Sequence, residues 1–171
     1  SGMSDGPDVR ERLHGIFRPV VTNYAAVTGD IAPIPFRENL RRWADTPIDG
    51  IVLFGSNGEG ALLDEDEKRR LTAFAREVLP GGFVLIAGTG GESTSAVIRQ
   101  TRAMAAEGAE VMLVHPPAYF GPYLSPAALL DHFRAACTAI ANKVRQGQVR
   151  SELSDLIGGG TLSFDLQPGH P

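Results

Sequence analysis

The residues best equipped for chemistry sit in one short turn. The apolar run Ile51-Val-Leu-Phe54 stops in Gly55-Ser-Asn-Gly-Glu59. Ser56 offers a hydroxyl and Asn57 an amide, and the glycines leave backbone N–H groups open to close approach. That set suits a small carboxylate. The plainer use of the same residues is a tight turn with capping duty, which Ser and Asn often perform.

Other candidates carry less. The lysines are Lys68 and Lys143. Lys68 stands among Glu65, Asp66 and Glu67, and neighbouring carboxylates raise an amine's pKa where nucleophilic chemistry needs it lowered. His14, His115, His132 and His170 show no metal-ligand spacing, and only His115 falls at an expected strand end. Cys137 lies on the apolar stripe of a helix, as a buried small hydrophobe would. The run Asp64 to Glu67 reads as negative charge at the positive end of a helix dipole rather than as a catalytic carboxylate pair. Gly88-Thr-Gly-Gly-Glu-Ser93 lacks the third glycine of a dinucleotide fingerprint, and no Walker lysine follows any glycine-rich loop. It reads as a structural turn. No metal and no cofactor are expected.

Composition narrows the field further. The chain has 171 residues, 43% hydrophobic, with 16 basic and 20 acidic residues and a formal net charge of −4. That is enough for one domain with a real core. There is no basic field for nucleic acid. No apolar run approaches the roughly 20 residues that span a bilayer, and no signal-peptide pattern precedes Arg10. The single cysteine makes a reducing cytoplasm the default.

The elements that must position the turn repeat along the chain. Gly15 to Thr22 reads as a first strand, with Pro19 suited to an end or an edge. A helix follows, with Pro35 in its first turn and Phe36, Leu40, Trp43 and Ala44 on one face. The second unit has its strand at Ile51 to Phe54. Its helix is opened by Asp64 and Glu67 as a capping box and striped by Leu71, Phe74, Ala75, Val78 and Leu79. The third strand is Phe83 to Ala87, and its turn Gly88 to Glu92 echoes Gly55 to Glu59 at a spacing of 33 residues. Ser93 or Thr94 caps the next helix, Val97, Thr101, Met104 and Ala105 face inward, and Gly108 ends it. The fourth strand is Glu110 to Val114, with His115 to Phe120 as its exit loop. Ser125-Pro126 then opens a helix lined by Leu129, Phe133, Ala136, Cys137 and Ile140. Four such units predict a parallel α/β fold whose strand exits share one side, where ligands bind. After Ala141 the pattern stops. Ser151 to Ile157 allows a short helix, Gly158 to Gly160 a flexible link, and Thr161 to Leu166 a weak strand.

Four of these segments together resemble a known family. They are Gly15-Ile-Phe-Arg-Pro-Val-Val-Thr22, Gly55-Ser-Asn-Gly-Glu59, Ala87-Gly-Thr-Gly90 and Pro116-Pro-Ala-Tyr119. Their order and spacing are similar to the first half of the dihydrodipicolinate synthase / N-acetylneuraminate lyase family, class I aldolases built on a (β/α)₈ barrel. The resemblance implies a Schiff base between a lysine and pyruvate or a related 2-oxo acid. It implies a proton-relaying hydroxyl at Ser56 and a carboxylate-holding residue at Asn57. It implies a tyrosine at Tyr119 that reaches into a partner's active site. The Ser-Asn pair looks most like the 4-hydroxy-2-oxoglutarate aldolase branch.

The family's Schiff-base lysine lies on a sixth strand and its second tyrosine on a fifth, and neither strand is recognisable here. The expectation is therefore a flexible arm over residues 1–14, a partial (β/α)₄ half barrel over 15–141, and a divergent tail over 142–171. Such a truncated aldolase is expected to be inactive alone and to self-associate through its open sheet edges. A non-catalytic small-carboxylate-binding or assembly protein is the alternative.

Overall fold

The computed structural model describes residue 9 and residues 11–145. The readings made for Ser151 to Ile157, Gly158 to Gly160 and Thr161 to Leu166 lie outside the described residues, as does most of the expected arm. Four strands alternate with four helices: β1 Phe17–Pro19, α1 Pro33–Ala44, β2 Gly50–Leu53, α2 Glu65–Val78, β3 Val84–Gly90, α3 Thr94–Ala106, β4 Val111–His115 and α4 Pro126–Arg145. The strands pair in parallel in the order β1-β2-β3-β4. All four strand exits therefore lie at one end, as the repeat of strand–helix units predicts.

One face of the sheet carries Ile51, Leu53, Leu85 and Ala87, each at most 1% exposed, packed under the helices. The other face carries Val84 and Ile86, with Phe17, Val52, Val111 and Leu113 partly buried around them. Val9 and Leu13 fold onto this second face. Arg12 fastens that segment through Glu110 at 2.6 Å.

Local chemistry explains most element ends. Asp64 accepts from the Glu67 N–H at 2.8 Å while Glu67 accepts from the Asp64 N–H at 3.0 Å, a complete capping box. Ser93 caps α3 by accepting from the Ala96 N–H at 3.1 Å. Gly108 takes φ +101° just past α3, the left-handed position a helix end favours. Pro19 is the last residue of β1, which is an edge strand among the described residues.

α1 begins at Pro33 and holds Pro35 inside its first turn, as expected. Three expectations shift. β1 is only three residues long, with Ile16 and Val21 exposed outside it. β3 runs on through Gly88-Thr-Gly90 instead of turning, because those residues pair with Leu113, Val114 and His115. In α4 the deeply buried residues are His132, Ala136 and Ala139 rather than Leu129 and Phe133. That helix packs chiefly against α3, so the face turned to α3 is the one removed from water.

Candidate active site at the strand exits

Phe54, the residue after β2, adopts φ +58°, and Glu59 adopts φ +53°. Both are left-handed, a costly state for a bulky residue such as phenylalanine. Between them lies a single 3-10 turn over Ser56–Gly58. The Gly58 and Gly60 N–H groups both bond the Gly55 carbonyl, at 3.0 and 3.3 Å. The reversed Phe54 backbone drives its carbonyl into its neighbours. A Cβ on Gly60 would lie 2.1 Å from the Phe54 oxygen, and one on Gly88 would lie 2.3 Å from it. Only glycine fits at those two positions, Gly60 beside the turn and Gly88 on the neighbouring strand.

The segment that follows β1 secures the turn from its other side. The Thr22 hydroxyl, 7% exposed, donates to the Gly58 carbonyl at 2.7 Å. Tyr24 lies close by. Burial first, and then the carboxylates of Glu59 and Glu67, push its phenol up from the usual tyrosine range. Ser56 and Asn57 themselves are exposed at the sheet end. Thr22 closes the Gly15–Thr22 segment of the sequence reading, but nothing in the sequence shows that its hydroxyl reaches Gly58, 36 residues on.

Tyr119 sits past β4, at the same end of the sheet as Ser56, and β4 itself lies two strands, about 10 Å, across from β2. It is 78% exposed. Its ring meets Phe120 edge-on at 4.9 Å. The loop is held by Glu92, which the sequence reading did not single out. One oxygen of its carboxylate accepts from the Ala118 N–H at 2.9 Å and the Tyr119 N–H at 3.0 Å. Those bonds hold the Glu92 carboxyl below the usual carboxylate range, the Tyr119 N–H contributing most.

The expectation for Lys68 is overturned. Its side chain is 5% exposed, and Nζ donates to Gln100 Oε1 at 3.2 Å across the α2–α3 seam. Burial lowers its pKa and outweighs the opposing pull of Glu65. A signal for this was available, since Lys68, Leu71, Thr72 and Ala75 share one helical face and all four are buried. The amine lies in the helix layer and not among the strand exits.

His132 is 6% exposed, its Nδ1 is 2.9 Å from the Thr94 hydroxyl, and burial lowers its pKa. His115 ends β4 opposite Gly90. Cys137 is partly buried, and burial raises its pKa, so no reactive thiolate is favoured there. Among the described residues, no three or more His, Cys, Asp or Glu side chains are grouped to hold a metal. No described helix is long and apolar enough to cross a membrane.

Comparison with known proteins converges on one family. Residues 12–144 match the model of the Dihydrodipicolinate synthetase family. A protein of Emericella nidulans named "Probable 4-hydroxy-2-oxoglutarate aldolase, mitochondrial" is 35% identical over 134 residues, covering 76% of this chain and 43% of its own length. The 4-hydroxy-tetrahydrodipicolinate synthase of Stenotrophomonas maltophilia is 36% identical over 123 residues, covering 72% and 40%. The crystal structure of dihydrodipicolinate synthase from Agrobacterium tumefaciens superposes with a TM-score of 0.72 at 26% identity, covering 78% of this chain and 44% of that one. The chain spans about two fifths of the length of these curated relatives.

Proposed function

Because the chain belongs to the dihydrodipicolinate synthetase family, we propose that it carries the substrate-holding part of a lyase or aldolase site for pyruvate or a related 2-oxo acid. Ser56 and Asn57 receive the carboxylate, the Ser56 hydroxyl also relays protons, and Tyr119 reaches into the active site of a partner copy to join the relay there. The observation that carries this reading is the turn itself. A left-handed Phe54 and two obligatory glycines present an exposed Ser-Asn pair at the end of the sheet where parallel α/β folds bind ligands.

The chemistry of this family runs through an imine: a lysine amine adds to the 2-oxo carbon, water leaves, and the cationic imine withdraws electrons from the adjacent carbon. Lys68 supplies no amine for that step at the strand exits, since it is turned into the α2–α3 seam. The chain alone therefore binds and does not turn over. Borohydride trapping with pyruvate, read by intact mass, is expected to leave the protein unmodified. A reduced pyruvate adduct on Lys68 or Lys143 would overturn this division of labour.

The second reading, a small-carboxylate-binding or assembly protein without chemistry, is favoured by the sheet itself. β1 and β4 are its outer strands among the described residues, and unpaired strand edges template association with another copy. Light scattering is expected to show dimers or larger species, whereas a monodisperse monomer would count against it. The lone cysteine fits a reducing compartment, with the cytoplasm as the default, while some fungal relatives are named as mitochondrial.

A further inference from the structure

The loop after β4 has few holds of its own. Its internal hydrogen bonds are short-range turns: Gly121 N–H to Ala118 O, Tyr123 N–H to Phe120 O and Leu124 N–H to Gly121 O. The Tyr119 ring packs only edge-on against its neighbour Phe120, and it stands largely in solvent. Nothing in that arrangement fixes where the phenol points. The long-range tie is Glu92, whose Oε1 receives two successive N–H groups from residues 26 and 27 positions further along the chain.

Glu92 is itself well placed to be rigid. Two residues before it, Gly90 pairs with His115 in the sheet. One residue after it, Ser93 caps α3. The carboxylate therefore hangs between two fixed points at the exit of β3 and reaches sideways to the exit of β4. Charge-assisted bonds to backbone N–H groups are roughly twice as strong as neutral ones.

The geometry points to Glu92 as the positioning residue for Tyr119: its carboxylate clasps the Ala118 and Tyr119 amides and so sets the direction in which the phenol enters the site. The inference rests on the proposed role of Tyr119 in a 2-oxo acid site, and it adds the residue on which that role depends. A misplacement of about 1 Å at a reacting group can cost about a hundredfold in rate, so a clasp at the base of the side chain matters. The bonds that depress the Glu92 carboxyl are all backbone N–H groups, so the amides themselves report the clasp.

The experiment uses the whole chain, labelled with nitrogen-15, and needs no variant in its first arm. On lowering the pH, the Ala118 and Tyr119 amide protons are expected to move together with one midpoint below the ordinary carboxylate value. Glu92→Gln and Glu92→Ala are expected to abolish that titration. Glu92→Ala is expected to speed hydrogen exchange at both amides about tenfold or more, with Glu92→Gln, which keeps an acceptor oxygen, restoring part of the protection. In the second arm pyruvate is the probe. Glu92→Ala is expected to lose the pyruvate response of the Tyr119 ring while Ser56 and Asn57 keep theirs, and Glu92→Gln is expected to restore it. Amides that titrate independently, or a Tyr119 response unchanged in Glu92→Ala, overturn the inference. If pyruvate moves neither Ser56 nor Asn57 in the unmodified chain, the proposed function falls, and the amide titration alone decides the clasp.

Discussion

The turn after β2 and the loop after β4 carry the candidate residues at the same end of the sheet, and they are held in opposite ways. The first is locked by backbone. Phe54 and Glu59 are left-handed, Gly60 and Gly88 yield space to one carbonyl, and buried Thr22 pins Gly58. The second is held by the side chain of Glu92, with its aromatic residues largely in solvent. A backbone lock places a carboxylate-binding pair to within narrow limits and cannot readily move. A side-chain clasp lets a tyrosine be placed and, when the clasp opens, released. The contrast fits the proposed division of roles, a rigid turn for one end of a substrate and an adjustable loop for Tyr119.

The largest expected effect comes from breaking the lock. Gly60→Ala or Gly88→Ala puts a methyl group about 2 Å from the Phe54 oxygen and should cost about 3 kcal/mol or more, read as a lower urea midpoint. A loss below about 0.5 kcal/mol would show that the turn relaxes freely and would erase the contrast between the two loops. Next, Ser56→Ala and Asn57→Ala should each weaken pyruvate binding about tenfold by calorimetry, the value of one hydrogen bond to a charged group. Both residues are exposed, so the melting temperature should stay where it is.

Two smaller effects concern the buried polar groups on either flank of α3. Lys68 lies on the β2 side, and its folded pKa is below the unfolded value. Its full contribution is therefore present above about pH 10.4, and stability is lost as pH falls through the folded value. Lys68→Met should remove that slope and raise the urea midpoint at neutral pH. A destabilised variant would mean that the bond to Gln100 outweighs the burial of the amine. His132 lies on the β4 side, and its pKa is also lowered by burial. Below about pH 6.5 the unfolded chain takes up the proton first, so stability should decline as pH falls toward the folded value. His132→Gln should flatten that limb of the urea-midpoint profile, and an unchanged profile would assign the acid sensitivity elsewhere.

Much of this was legible from residue types alone. The parallel βα alternation, the Asp64–Glu67 capping box, Pro19 at an edge and Ser93 as a cap all follow from local rules, and the structure carries each of them. The Ser56–Asn57 turn was legible too, but not its mechanics. Nothing in a phenylalanine announces φ +58° at Phe54, because that state is imposed by the packing around it. Close packing explains why Gly88-Thr-Gly90 was misread as a turn, since Gly88 meets the Phe54 carbonyl and Gly90 the His115 side chain. Its glycines mark close approach in a continuing strand, and a turn signal looks identical. Lys68 was misjudged because the reading weighed the charge of Glu65 three residues away and not the burial of the amine on the inward face of α2, which outweighs it. Glu92 carried no sequence signal, since its partners lie 26 and 27 residues away.

The most direct test of the central claim is a pyruvate titration of the nitrogen-15-labelled chain. Saturable shifts centred on the Ser56 and Asn57 amides, with no covalent adduct by mass, are the predicted result. No shift at those residues, or shifts centred on Lys68, would contradict the assignment of the β2 turn as the carboxylate-holding part of the site.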